Sequence, residues 1–280
     1  MREPMQWRVI NSGIGPAARN MAVDEAILHA HASGVVPPTI RFYGWQPAAM
    51  SIGYFQKAAT EVNLAKCRQA GIDVVRRLTG GRAVLHAAEL TYSVVVRADA
   101  PQIPATITAS YHYFSTGLLA GLRGLGIDAG MSMPRAAYSQ AGTRRRSASA
   151  ACFDAPSQYE LTARGRKLAG SAQVRKDGVI LQHGSILLAF HAEQVASLLN
   201  LPSQEQQEAV AAMLAARAIS VQELLGREVS WDSVRQAMTA AFGAALGLEL
   251  EPGQLIEQEQ AMAAELISTK YGCDSWNLLR

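Results

Sequence analysis

Two glycine dipeptides constrain this chain most: Arg164-Gly165 and, above all, Asp177-Gly178. Asp-Gly between two β-forming runs is a strong short-range signal for a hairpin. The runs are Tyr159 to Thr162 and Val179 to Leu181, apolar or β-branched enough to be strands. Between them lies the glycine-bounded segment Gly165-Arg-Lys-Leu-Ala-Gly-Ser-Ala-Gln173, and after them His183-Gly-Ser-Ile-Leu187. One thiol (Cys152), one lysine (Lys167) and one histidine (His183) therefore fall within about thirty-five residues. A hairpin sets distant residues face to face, which puts Cys152 and Lys167 within reach of each other. A lysine ammonium within ~4–6 Å of an acid shifts its pKa by ~1–3 units. A cysteine starting near ~8.5 then becomes substantially ionised, and so nucleophilic, at neutral pH. A lone intracellular cysteine is otherwise most simply a packed hydrophobe, as Cys67 is expected to be.

The chain before this segment alternates strands and helices. Trp7 to Ile10, Thr39 to Tyr43, Met50 to Ile52, Ile72 to Arg77 and Leu90 to Val96 read as strands. Ala17 to His31 reads as a helix opened by Pro16 and ended at Gly34. Its Asp24 and Glu25 are expected on a solvated face, since acids are rarely buried unpaired. Thr60 is placed as the cap of a helix through Ala70. Thr106 to Leu125, with Tyr111, Phe114, Leu118 and Leu122 at helical spacing, is a core-facing helix.

Ala129 to Ala150 has no periodicity and reads as a long loop leading into Cys152, of a length that is usually functional or disordered. Its Arg144-Arg-Arg146 is most simply a solvated cluster, and otherwise a docking patch for an acidic partner. After Phe190 helices dominate: Ser203 to Ala216, a short one opened by the capping box Ser220-Val-Gln-Glu223, one from Ser230, and a last from about Gln254 to Lys270. The expected class is α/β, a mixed sheet flanked by helices. Residues 1–204 form the body and 205–280 a helical layer packed on it.

Composition narrows the function. At 280 residues and 49% hydrophobic the chain can bury a sizeable core. A net charge of +3 is too small to argue for nucleic acid but suits an acidic protein partner. Three scattered cysteines give neither a disulfide framework nor a zinc spacing. No apolar run approaches membrane length, so a cytoplasmic location is expected. Gly80-Gly81 lets backbone N–H groups approach a ligand, but no Lys-Ser/Thr follows, so this is not a phosphate loop of the Walker type. Arg76, Arg77 and Arg82 crowd three guanidiniums around that turn and repel unless solvent or an anion offsets them. His86 and His183 are open to two readings, a general base or a strand-end hydrogen-bond partner. No metal site is expected from them, because no further ligand has suitable spacing.

The motifs Arg76-Arg-Leu-Thr-Gly-Gly-Arg-Ala-Val-Leu-His86, Glu89-Leu-Thr-Tyr-Ser93, Gly165 to Gln173 and His183 to Leu187 resemble the signature of the biotin/lipoate protein ligase and octanoyltransferase superfamily. Asn20-Met-Ala-Val-Asp-Glu25 and the ending Lys270-Tyr271 with Trp276-Asn277 fit the same pattern. The resemblance implies a mixed α/β fold with an acyl chain in a tunnel. ATP-using ligases of this superfamily carry a third glycine where Arg82 stands, and an acid and a Gly-Asn where Ala87-Ala88-Glu89-Leu90 stands. Cys152-Phe-Asp-Ala-Pro-Ser with Gly165-Arg-Lys167 is instead similar to the cysteine-dependent octanoyltransferases of the Bacillus type.

That resemblance implies Cys152 as acyl-thioester nucleophile and Lys167 as the group that lowers its pKa. It implies octanoyl-acyl carrier protein as donor and a lipoyl-domain protein, such as the glycine cleavage H protein, as acceptor. No cofactor, nucleic acid or membrane is involved, and a monomer is expected. Arg76, Arg77, Gly80, Gly81, Arg82, His86, Gly170, Ser171, Ala172, His183 and Gly184 are the expected substrate-binding residues. The competing readings are an ATP-dependent lipoate ligase, an amidotransferase moving octanoate between lipoyl domains, and a non-catalytic module that holds an acylated partner.

Overall fold

A computed structural model describes residues 6–132 and 160–279. In chain order the elements are β1 (Gln6–Gly15), α1 (Ala17–Ala32), β2 (Thr39–Trp45), β3 (Ala49–Ile52), α2 (Ala58–Glu61), α3 (Leu64–Gln69), β4 (Asp73–Arg76), β5 (Val84–His86) and β6 (Glu89–Arg97). These are followed by α4 (Ile107–Gly124), β7 (Ala129–Met131), β8 (Leu161–Ala163), β9 (Arg166–Lys176), β10 (Val179–Leu187), α5 (Ala192–Ser197), α6 (Gln204–Arg217) and α7 (Val221–Leu225). The chain closes with α8 (Trp231–Leu246), β11 (Glu249–Gly253), α9 (Glu257–Leu266), a π-helical turn (Ile267–Tyr271) and α10 (Asp274–Asn277). Among the described residues, eight strands form one sheet in the order β11-β1-β2-β6-β10-β9-β8-β7, and β4-β3-β5 form a second, smaller one. The large sheet is mixed: β11, β1 and β2 run parallel, and the pairs from β2 onward are antiparallel.

Both hairpin signals are realised. Arg164-Gly165 joins β8 to β9 and Asp177-Gly178 joins β9 to β10, as two-residue turns with positive φ at both positions: 50° and 74°, then 52° and 75°. The segment between them is one long strand. Strand alternation gives the large sheet two different faces. Leu90, Tyr92, Val94 and Val96 of β6 join Phe42, Ile180 and the α4–α8 pair in one apolar core. On the other face α1 packs with Val95, Leu181 and Tyr271 in a second core.

Four expectations change. The helix from Thr60 to Ala70 is two short helices, because Val62 leaves helical geometry to bridge Leu199 and Asn63 caps α3 afresh. Segment 205–280 is not only helical. Its Glu249–Gly253 pairs in parallel with β1 as an edge strand, where Pro252 and the exposed charges are tolerated. The expected final helix starts at Glu257, and its Glu259 takes a bidentate pair from the buried Arg8 at 2.6 and 2.9 Å. Asp24 and Glu25 are not solvated: they are 1% and 2% exposed.

Candidate active site

Strand register explains why the polar residues converge. Arg41, Ser93, His183 and Ala172 lie side by side across β2, β6, β10 and β9, and Tyr43, Thr91, Ser185 and Gly170 form the adjacent row. Pairing puts each row on one face. That face, α1, β3 and the loop after β4 border a small cavity of about 60 Å³. Met21, Tyr43, Trp45, Val84 and backbone around Gly81, Gly170 and Gly184 supply its apolar lining, and Ser51, Arg77, His86, Thr91, His183 and Ser185 its polar wall.

Asp24 is the first anchor of that wall. Its carboxylate accepts from Arg41 Nη1 (2.6 Å), Ser93 Oγ (2.8 Å), Tyr43 OH (2.9 Å) and His183 Nδ1 (3.3 Å). Burial alone would raise the Asp24 pKa, but Arg41 and His183 carry it below the usual carboxylate value. His183 is pushed below the ordinary imidazole value, first by burial, with Asp24 opposing and Arg77 assisting. With Nδ1–H on Asp24, its Nε2 accepts from Thr79 Oγ1 at 2.7 Å.

Glu89 is the second anchor. Its Oε1 accepts from His86 Nδ1 (2.6 Å) and Thr91 Oγ1 (2.5 Å), and its Oε2 from Ser185 Oγ. His86 stacks on Trp45 with ring centroids 4.1 Å apart and meets Ser51 Oγ through Nε2 at 2.7 Å. Arg77 sits beneath, donating to Ser51 Oγ (3.0 Å) and to the carbonyls of Ser51, Gly80 and Arg82. It thereby cinches the Gly80-Gly81 loop. At Gly81, φ is +94° and a Cβ would lie 2.9 Å from Arg77 Nη2, so the position requires glycine.

Of the expected residues, Arg77, Gly81, His86, Gly170, Ser171, Ala172, His183 and Gly184 line this cavity. Gly80 and Arg82 lie beside it and lend carbonyls to Arg77. Arg76 serves the fold instead. Fully buried, it donates to the carbonyls of Gly53, Tyr54, Gln56, Trp276 and Asn277. Backbone carbonyls accept from the Arg76 and Arg77 guanidiniums, which offsets part of the crowding expected of the three arginines. Arg76 also explains the chain ending: Asn277 Oδ1 accepts from Arg76 N, and Trp276 Nε1 donates to Arg76 O. Glu25 completes this lock, accepting from Lys270, Tyr271 and Lys176.

Lys167 is buried and donates to Glu160 Oε1 at 2.6 Å. It lies three residues along β9 from Gly170, roughly 10 Å of extended chain. Cys152, the Arg144 to Arg146 cluster and most of the expected loop lie outside the described residues.

Residues 16–243 match the lipoyl protein ligase A/B catalytic domain. The chain belongs to that family. Octanoyltransferase LipM of Brevibacillus brevis is 46% identical over 98% of this chain and 99% of its own length. Octanoyltransferase LipM of Bacillus subtilis is 44% identical, over 98% of each. Among solved structures, lipoate-protein ligase A bound with ATP is 27% identical with a TM-score of 0.78, covering 98% of this chain and 99% of that one. The bipartite lipoate protein ligase of Thermoplasma acidophilum is 28% identical with a TM-score of 0.81, covering 99% and 98%. These ligase A/B-type folds agree with the mixed sheet and flanking helices found here. Among the described residues no helix is long and apolar enough to cross a membrane.

Ser51, Thr79, Thr91, Ser185 and Asp24 were not singled out as site residues in the sequence. The signal for two of them, Thr91 and Ser185, was present: Glu89, Thr91 and Ser93 in β6, and His183 and Ser185 in β10, put polar side chains at every second position of otherwise apolar strands.

Proposed function

We propose that this protein is an octanoyltransferase of lipoate biosynthesis, taking octanoate from octanoyl-acyl carrier protein and delivering it to the lysine of a lipoyl domain. The glycine cleavage H protein is the acceptor we propose. The reading is carried by near-full-length similarity to octanoyltransferases at 44–48% identity. Cys152 is the proposed nucleophile. Its thiolate attacks the donor thioester, exchanging one thiol for another at nearly equal energy. The acceptor amine then forms an amide, far more stable than the thioester, so no ATP is required. Arg82, where ATP-using ligases carry glycine, supports this direction.

Lys167 is the proposed partner of the thiolate. Its Nζ is held by Glu160 Oε1 at 2.6 Å, which fixes where the lysine sits on β9. Burying ~6–7 methylenes at ~0.8 kcal/mol each contributes ~5 kcal/mol of acyl binding. Chain-length preference therefore belongs to the apolar lining around Met21, Val84 and Trp45. N–H groups of the Gly80-Gly81 loop or of Gly170-Ser171 are the proposed oxyanion donors.

The test is transfer to a purified lipoyl domain from octanoyl-acyl carrier protein without ATP, read as an octanoyl mass gain on the acceptor. Transfer supports the proposal. Transfer only from free octanoate with ATP, releasing pyrophosphate, would replace it with the ligase reading.

A further inference from the structure

We infer that Ser51, His86 and Glu89 form the proton-accepting relay of the transfer step, with His86 and not His183 taking the proton of the incoming lysine. This rests on the thioester-first reading above.

Two hydroxyl–imidazole–carboxylate chains border the cavity: Thr79–His183–Asp24 and Ser51–His86–Glu89. They differ in what holds the carboxylate. Asp24 is already neutralised by Arg41 at 2.6 Å, so a proton on His183 would add a cation beside a carboxylate that already has one. Burial and the nearby Arg77 push His183 the same way. Glu89 is 3% exposed, and its side-chain donors are His86, Thr91 and Ser185, none a lysine or arginine. A buried carboxylate without a cation is costly. A proton taken up at His86 would place a cation 2.6 Å from Glu89 Oε1, where Asp24 already has one in Arg41.

The geometry directs the path. Trp45 stacking fixes the His86 ring, and Glu89 fixes its tautomer with the proton on Nδ1. Arg77 donates to Ser51 Oγ, which leaves the Ser51 proton aimed at His86 Nε2. The groups that share the cavity with the relay are Arg77 from the loop after β4, Tyr43 from β2, and His183 and Ser185 from β10, with Thr79 and Asp24 bonded to His183 behind.

In the step itself the neutral ε-amine adds to the thioester carbonyl. Its surplus proton passes to Ser51 Oγ as the Ser51 proton moves to His86 Nε2. The C–S bond then breaks with its electron pair on sulfur. The imidazolium returns the proton to the thiolate, leaving amide and free thiol. Ser51 and His86 are catalytic residues in this scheme, and Glu89 is a positioning residue acting through His86.

The test separates the two half-reactions. Enzyme acylation by octanoyl-acyl carrier protein is followed by intact mass, and the acylated enzyme is then chased with a lipoyl domain. H86Q and E89Q, which also belong to the wall, should slow the chase by ~10²–10⁴ and acylation by at least about tenfold less than that. H183Q, as a wall residue, should lower both steps by a similar factor. E89D, which keeps the carboxylate, should recover much of the chase rate that E89Q loses, a rescue that a purely structural role would not show. Should E89Q fail to fold, H86Q carries the same two-step comparison. An unchanged chase in H86Q, or a selective chase defect in H183Q alone, overturns the assignment while leaving the thioester reading intact. Absence of any acylation in the unsubstituted enzyme overturns both.

Discussion

Asp24→Asn is the substitution whose cost the structure sets most clearly. It removes one charge from a carboxylate that holds Arg41 at 2.6 Å and also accepts from Ser93, Tyr43 and His183. Arg41 is fully buried, and its other side-chain hydrogen bonds go to neutral groups of Ser12 and Asn20. Breaking a buried pair by removing one partner costs about 3–5 kcal/mol, most of it from the charge left behind. At ~2–4 °C per kcal/mol for chains somewhat smaller than this one, the melting temperature should fall by about 6–20 °C. Urea unfolding of the single variants and of Asp24→Asn with Arg41→Met measures the coupling. The double variant should be more stable than Asp24→Asn alone, because no buried charge remains unmatched. The pH dependence has a definite sign. Arg41 and His183 hold the Asp24 pKa below its usual value against the opposing effect of burial. Its contribution is therefore complete above the usual aspartate value and is lost as pH falls through the lowered one. Asp24→Asn should lack that part of the acid slope. A cost below about 1 kcal/mol, or no recovery in the double variant, would refute the view of Asp24–Arg41 as the anchor of the site wall.

Gly184→Ala should destabilise by about 1–3 kcal/mol in thermal unfolding, because its Cβ would fall 2.4 Å from Gly170 O, 2.6 Å from Ser171 Oγ and 2.8 Å from Tyr92 Cε1. A neutral result would mean β9 and β10 yield easily. Glu25→Gln should raise hydrogen exchange across residues 267–277, since Glu25 holds Lys270 and Tyr271 against α1. Unchanged exchange there would deny it the role of a lock. Burial pushes the Cys67 thiol up to about 11, so iodoacetamide at neutral pH should leave it unmodified in the folded protein. Cys152 should label readily, and Lys167→Ala should slow that labelling. Equal rates at both cysteines, or no effect of Lys167→Ala between pH 6 and 9, would contradict the proposed ion pair.

The sequence was most informative where local chemistry decides structure. Asp177-Gly178 fixes a two-residue turn through its own backbone preference, and the turn places β9 beside β10 wherever the rest of the chain goes. Ser203, Ser220 and Ser230 cap α6, α7 and α8 where their hydroxyls accept from N–H groups three residues on. It was least informative where a partner lies far along the chain. Asp24 and Glu25 resemble solvated helix acids until Arg41, Lys176, Lys270 and Tyr271 are brought to them by the sheet and the chain ending. Arg76 resembled an anion ligand for the same reason, since its carbonyl partners come from segments about 20 and 200 residues away. The edge strand β11, with glutamates and a proline, has the composition of a loop and takes strand form only because β1 offers an open edge.

The central claim is that acyl transfer proceeds through a thioester on Cys152. Intact mass of the enzyme after incubation with octanoyl-acyl carrier protein, without acceptor or ATP, tests it most directly. The account predicts a gain of one octanoyl group that neutral hydroxylamine removes and that Cys152→Ala abolishes. An octanoyl gain that persists in Cys152→Ala, or acceptor octanoylation by that variant at the unsubstituted rate, would contradict it.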